Sequence, residues 1–250
     1  MYRALIRFYQ ELNEFLTEEQ RFRTLECELI GNPGVKDLIE SFGVPHTEVD
    51  LVLANSEPVD FAYQVQDGDR ISVYPVFESL DIQGVSRVRS RPLRRPAFVL
   101  DVHLGRLAAL LRLLGFDTLY RRDYDDPEIV RIALEEGRII LTRDQGILKR
   151  KAVTHGYFVR SRDPEEQARE VIRRFDLSER VAPFSRCLVC NNLLESVDAD
   201  EVAGELPPGV RGLHREVTRC AGCGRYYWPG THYESLREAV SRIMGPRGNY

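Results

Sequence analysis

The sequence predicts an α/β domain on a parallel sheet with helices on both faces, preceded by an α+β module and followed by a four-cysteine module. Three observations carry this. Residues 97–180 alternate short apolar strands with helices, the pattern of a parallel sheet. Residues 1–78 set strands on both sides of one helix, as an α+β unit does. Near the C-terminus, Cys187-Leu188-Val189-Cys190 and Cys220-Ala221-Gly222-Cys223 form two CxxC pairs 29 residues apart.

The elements follow in order. In residues 1–78, Ala4 to Phe8 and Thr24 to Leu29 read as strands, and Val35 to Phe42 as a short helix opened by Asn32-Pro33-Gly34. Val49 to Asn55 reads as another strand, and Ile71 to Val76 as the last, after the Asp67-Gly68-Asp69 turn. Residues 79–96 form a basic linker with Pro92 and Pro96. In the next domain, Phe98 to Leu100 is an apolar strand ending at Asp101, followed by an apolar helix from Leu104 to Leu114 that Gly115 stops. Thr118 to Tyr120 is a strand, and Asp126 to Glu136 a helix with Pro127 in its first turn and Gly137 after its end. Arg138 to Thr142 is a strand that leads to Asp144. A short helix from Gly146 to Lys151, a strand from Tyr157 to Arg160, and a helix from Pro164 to Phe175 capped by Asp163 complete it. Residues 181–235 are the cysteine module, and 236–250 a short helix running into a loose tail.

Two CxxC turns offer four sulfurs in two tight pairs, which suits a structural zinc ion with Cys187, Cys190, Cys220 and Cys223 as ligands. Two disulfides are the alternative for these residues. Cys27 has no evident partner, and a complete four-cysteine shell leaves His214 unneeded. The opening segment lacks the apolar core of a signal peptide and no run of about 18 apolar residues occurs, so a cytoplasmic protein with no membrane span is expected. No GxGxxG or GxxxxGK[ST] follows a strand, so no nucleotide cofactor is expected.

The net charge of −4 conceals an asymmetry: residues 1–80 carry 6 basic against 15 acidic residues, and the remainder 29 against 24. Arg87, Arg89, Arg91, Arg94 and Arg95 make the linker the densest basic stretch, either a solvated tether or a contact for RNA. A polyanion would meet the linker and later domains, not the acidic front module.

In an open parallel sheet, ligands sit beyond the carboxyl ends of the strands. Asp101 and Asp144 follow two of these strands, and Asp126 begins a helix after a third. Three carboxylates on one edge would repel unless a divalent cation joined them, and oxygen donors select Mg²⁺ or Mn²⁺. Such an ion acidifies a bound water and steadies charge on a phosphodiester, the chemistry of a nuclease. Asp126 and Asp144 also have a plain reading as helix N-caps, whereas Asp101 fits that reading less well. Arg143 either grips the scissile phosphate through its fork or balances the carboxylates. Arg106 reads as a solvated helix residue.

FVLDVHLGRLAALLRLLGFDTLY, DDPEIVRIALEEGRIILTRDQGIL, SRCLVCNNLLE and RCAGCGRYYWPGTH together resemble the Mut-seven C-terminal RNase family. The resemblance covers residues 97–235 and implies a PIN-like nuclease domain followed by a zinc ribbon. Its acidic metal site falls on Asp101, Asp126 and Asp144, with Asp125 or Asp163 as a fourth acid. The stretches Leu53 to Asp60 and Asp67 to Pro75 resemble the β-grasp, ubiquitin-like fold of sulfur carriers, a front module that some members carry. Carriers end in a free Gly-Gly; this chain has Glu78-Ser79-Leu80 there and continues, which excludes carrier chemistry and leaves docking to a protein partner.

Tyr226, Tyr227 and Trp228 follow the second knuckle. They read either as a platform for unpaired bases beside Arg225 or as packing against the nuclease domain, the latter slightly favoured. His232 reads as an ordinary hydrogen-bonded residue. The expected function is a Mg²⁺- or Mn²⁺-dependent endoribonuclease acting on single-stranded or exposed RNA. The rival is a non-catalytic RNA- or ribosome-associated adaptor that recruits a protein through its β-grasp module.

Overall fold

The computed structural model describes residues 2–75, 86–88, 96–207, 210 and 216–245. Arg89, Arg91, Arg94 and Arg95 of the basic linker, His214 and the tail at 246–250 lie outside the described residues. The first module holds β1 (Tyr2–Phe8), β2 (Thr24–Leu29), α1 (Val35–Ser41), β3 (Val49–Ala54), β4 (Glu57–Val59) and β5 (Arg70–Pro75). The central domain follows with β6 (Phe98–Leu100), α2 (Gly105–Leu113), β7 (Thr118–Leu119), α3 (Asp126–Glu136), β8 (Ile139–Thr142), α4 (Gln145–Leu148), β9 (Gly156–Phe158) and α5 (Pro164–Arg174). The cysteine module contributes β10 (Leu194–Asp198), β11 (Glu216–Cys220) and β12 (Tyr226–Tyr227), and α6 (Thr231–Met244) closes the chain.

Chain contacts divide the molecule into two compact units, residues 1–94 with 126–158 and residues 95–125 with 159–250. In the first, the strand order β2-β1-β5-β3-β4 is the ubiquitin-like arrangement: β1 and β5 run parallel, flanked by antiparallel partners. Alternate residues of β1 and β5, Ile6, Phe8, Ile71 and Val73, are buried against Val35, Leu38 and Ile39 of α1, the period-2 pattern meeting a helix face. The Asp67-Gly68-Asp69 turn is organised by Asp69. Only 4% exposed, it accepts hydrogen bonds from Asn55 Nδ2 (2.7 Å), the Tyr63 hydroxyl (2.8 Å) and the Gln66 amide (2.8 Å). A buried carboxylate is stable only when so satisfied. Cys27 is buried here, and burial pushes its thiol up to about 11, which makes it an inert residue.

The same unit carries β8 and β9, parallel strands paired from Ile140↔Gly156 to Thr142↔Phe158. The Ile-Ile-Leu-Thr run of β8 is buried throughout, as a strand covered on both faces requires. Strand β9 stands at a sheet end, and the ubiquitin-like module covers it. Glu48, 3% exposed, accepts the Phe158 amide at 2.6 Å, and the Phe15 ring meets Phe158 edge-on at 5.4 Å. His46 lies between Glu40 Oε1 (2.6 Å from Nδ1) and the Val153 carbonyl (2.8 Å from Nε2). The ring thus ties α1 of the ubiquitin-like module to the segment before β9. A covered edge cannot pair with a foreign strand. Replacing Glu48 by Ala strands a buried donor, and we expect a loss of about 1–3 kcal/mol in urea unfolding, against a smaller loss for Glu48→Gln.

In the second unit, β6 and β7 pair in parallel, Phe98↔Thr118 and Val99↔Leu119. Helix α2 buries Leu107, Ala108, Leu111 and Leu113, while α5 is capped as expected, Asp163 Oδ1 accepting from the amides of Glu165 and Glu166 at 3.0 Å. Helix α6 packs on α5, held by Arg242 on Glu165 at 2.7 Å. The antiparallel sheet β10-β11-β12 forms the cysteine module. No helix among the described residues is long and apolar enough to cross a membrane.

Candidate active site and metal centre

The two knuckles fold alike. In each, the second cysteine's amide points at the first sulfur, Cys190 N to Cys187 Sγ at 3.5 Å and Cys223 N to Cys220 Sγ at 3.4 Å. The chain then turns through a positive φ, +72° at both Asn191 and Gly224, residue types that tolerate it. Their amides return to the Cys187 and Cys220 carbonyls, each at 3.0 Å. The four sulfurs lie within 4.8 Å of one another, with Cys187 and Cys223 3.7 Å apart and Cys190 and Cys220 3.2 Å apart. The cysteines are free, so the disulfide alternative falls. A tetrahedron with zinc–sulfur bonds of about 2.3 Å has edges of about 3.8 Å, so the cage fits such an ion.

Hydrogen bonds favour thiolate at Cys187 and Cys190, both held below the ordinary thiol value despite burial. Burial works against ionisation of Cys190, but the Asn192 backbone and side chain outweigh it and bring the thiol down to about 6. Burial pushes Cys220 up to about 12. The Tyr227 hydroxyl sits 3.0 Å from Cys187 Sγ.

The first knuckle is bolted to the end of α2, which sequence reasoning missed. Arg112, 6% exposed, donates through Nε to the Thr118 carbonyl (2.9 Å) and through Nη1 to those of Leu188 (3.0 Å) and Val189 (2.9 Å). Burial pulls its guanidinium below the ordinary value, countered by the charges of Cys187 and Cys190. Asn191 accepts the Thr118 amide at 2.9 Å and donates to Asp117 Oδ1 at 2.8 Å. Arg186 reaches the Gly115 and Asn191 carbonyls at 3.1 and 2.8 Å. Gly115, at φ +93°, lets this segment close: a Cβ there would stand 2.4 Å from the Ala182 carbonyl oxygen. The only sequence signal was an arginine inside the otherwise apolar Leu110 to Leu114 run.

The aspartates are seen on separate units. Asp101 closes β6 in extended conformation, 7% exposed, at the head of a 3₁₀ turn over Val102–Leu104, whose Leu104 amide donates to its carbonyl. The Tyr120 hydroxyl donates to Val102 O at 3.0 Å and rests on Gly105, where a Cβ would lie 2.6 Å from it. On the other unit, Asp144 caps α4: its amide donates to Thr142 Oγ1 (2.8 Å) and its Oδ1 accepts the Gly146 amide (2.7 Å), leaving Oδ2 outside the cap. Asp126 opens α3 half-buried, its Oδ2 3.0 Å from Arg150 Nη2. The cation facing Asp126 is therefore Arg150, a residue the sequence did not single out; Arg143 sits half-buried in the turn before Asp144. Asp163 is taken up in capping α5 and Asp125 is exposed. Arg106 and His232 are exposed, each in the first turn of its helix.

The chain thus joins a ubiquitin-like front domain, parallel strands followed by acids, and a four-thiol module. A family model described as "Mut7-C RNAse domain" matches residues 96–240, more than half of the chain. The chain belongs to the Mut7-C RNase family. A second model, "Mut7-C ubiquitin", matches residues 1–81. No curated protein and no solved structure matches this Mut7-C chain. Its four clustered cysteines are compatible with the zinc ribbon of that architecture.

Proposed function

We propose that this Mut7-C protein is a Mg²⁺- or Mn²⁺-dependent endoribonuclease that hydrolyses phosphodiester bonds of single-stranded or exposed RNA. The observation that carries the reading is the RNase-family match over residues 96–240. The acids the reading assigns are Asp126 and Asp144 on the first unit and Asp101 on the second. In this reading Asp101, Asp126 and Asp144 supply the oxygen donors that suit a hard divalent cation. When bound, that cation would acidify a water and offset charge on the phosphate. Arg150 balances Asp126 until the cation competes for it. Arg143 grips the scissile phosphate through its guanidinium fork, fixing the phosphorus for attack by water and departure of the ribose oxygen.

Zinc in the ribbon is structural, since four sulfurs close its shell and leave no position for water. The ubiquitin-like domain uses one face to cover β9 within the chain, and its remaining surface is offered to a protein partner.

A circular single-stranded RNA has no ends and yields only to internal cleavage. Incubated with zinc-loaded protein and Mn²⁺, the circle should open, and should stay closed without Mn²⁺. A closed circle beside trimmed linear RNA would indicate an exonuclease instead. Both RNAs intact but retarded in a gel would favour the adaptor.

A further inference from the structure

We propose that the zinc ribbon carries a stacking site for an unpaired nucleobase, with Trp228 as its platform. A cavity of about 380 Å³ is lined by Leu188 and Val189 of the first knuckle, by Pro207, and by the Arg225 to Trp228 segment after the second. That size lies within the range of small-molecule sites. Tyr226 and Trp228 pack against the ribbon's own small core of Ala199, Leu206, Val210 and Val217, yet both stay only partly buried and turn surface to the cavity. Packing on the ribbon core and a role as a platform are thus compatible in the same rings.

The rings are held in place. The Tyr226 hydroxyl donates to Glu205 Oε2 at 2.8 Å, and the Arg219 guanidinium lies 5.7 Å from the Tyr226 ring centre. The Tyr227 hydroxyl is tied to Cys187 Sγ at 3.0 Å. Preset aromatic faces lose little freedom when a ligand arrives. Val189 is 55% exposed on a tight turn, an apolar side chain left at the cavity wall.

Charge decides between occupants. Arg225 lines the cavity and Arg219 stands beside it, both exposed, so a base entering the ring-lined slot brings its phosphates toward two guanidinium groups. An aromatic slot flanked by arginines is how proteins hold unpaired bases without reading sequence. A duplex, whose bases are stacked on one another, offers nothing to this slot. The assignment deepens the ribonuclease reading and rests on it for the identity of the ligand.

Trp228 is the only tryptophan in the chain, so its fluorescence reports on the site directly. The experiment titrates full-length, zinc-loaded protein, without Mg²⁺ or Mn²⁺, with an oligoadenosine RNA of about 10 nucleotides. Matching arms use an abasic strand of the same length and a duplex. Quenching by the single strand, absent with the abasic strand and the duplex, is the expected result. Arg225→Gln should weaken the single strand and the abasic strand alike. Trp228→Leu should weaken the single strand alone, by about 5- to 150-fold, with zinc content retained. Should Trp228→Leu lose its zinc, quenching in the unaltered protein decides the matter. Single-stranded RNA that binds by anisotropy without changing the fluorescence would overturn the proposal and give the cavity to a protein side chain. Equal binding of abasic and normal strands would also overturn it. Quenching without cleavage would leave the stacking site standing and sink the nuclease, and cleavage without quenching would do the reverse.

Discussion

Asp144→Asn should lower RNA cleavage by about 10²–10⁴-fold while leaving the fold unchanged. The separation of the two effects comes from geometry. Asp144 Oδ1 caps α4 through the Gly146 amide, and an asparagine oxygen makes that bond about as well. What Asn cannot supply is the negative charge a divalent cation needs, and several kcal/mol of phosphate stabilisation go with it. Urea unfolding and zinc content should match the unaltered protein. Asp144→Ala, by contrast, should also lose about 1 kcal/mol through the missing cap. If Asp144→Asn cleaves as before, Asp144 is a cap and nothing more.

Removing zinc should have the second large effect, one that spreads beyond the ribbon. Structural zinc contributes about 10–16 kcal/mol of apparent binding energy to small modules, and the ribbon core, four buried apolar residues among those described, is too small to persist alone. The carbonyls of Leu188 and Val189 that hold Arg112, and the Asn191 side chain that holds the Thr118 amide, all belong to the first knuckle. Chelation should therefore speed hydrogen exchange at Thr118 as well as along β10 to β12. Amides of β1 and β5, in the ubiquitin-like sheet, should be unmoved. Unchanged protection at Thr118 in the zinc-free protein would show that the knuckle holds its shape without metal.

Much of the fold was legible because its signals are local. Asp163 before Pro164 announced the start of α5, Ile-Ile-Leu-Thr announced β8, and two CxxC turns announced a four-thiol cage; each needs only neighbours in the chain. The contacts that were not legible join distant residues. His46 and Val153 stand 107 residues apart, and nothing in a short Pro-His-Thr-Glu turn says that its histidine and glutamate will cover a strand edge. Arg112 sits in an apolar helix, and its guanidinium is taken up by three carbonyls from two other segments. Arg150, which no local signal singles out, is brought to Asp126 by the turn after α4. Strand β4 has only three residues, too few for alternation to register. Helix α6 begins at Thr231, ahead of the expected boundary, because Pro229-Gly230 ends the ribbon and the helix face then packs on α5. The candidate acids were found by their place after strands, which is a statement about topology and leaves their ligand to be measured.

That measurement is direct binding of Mn²⁺ to the zinc-loaded protein, followed by attenuation of the free-ion electron paramagnetic resonance signal. The unaltered chain should take up Mn²⁺, and Asp101→Asn with Asp144→Asn should abolish the uptake while the ribbon keeps its zinc. Equal uptake by both proteins, or none by either, would contradict a divalent-cation site built from these aspartates.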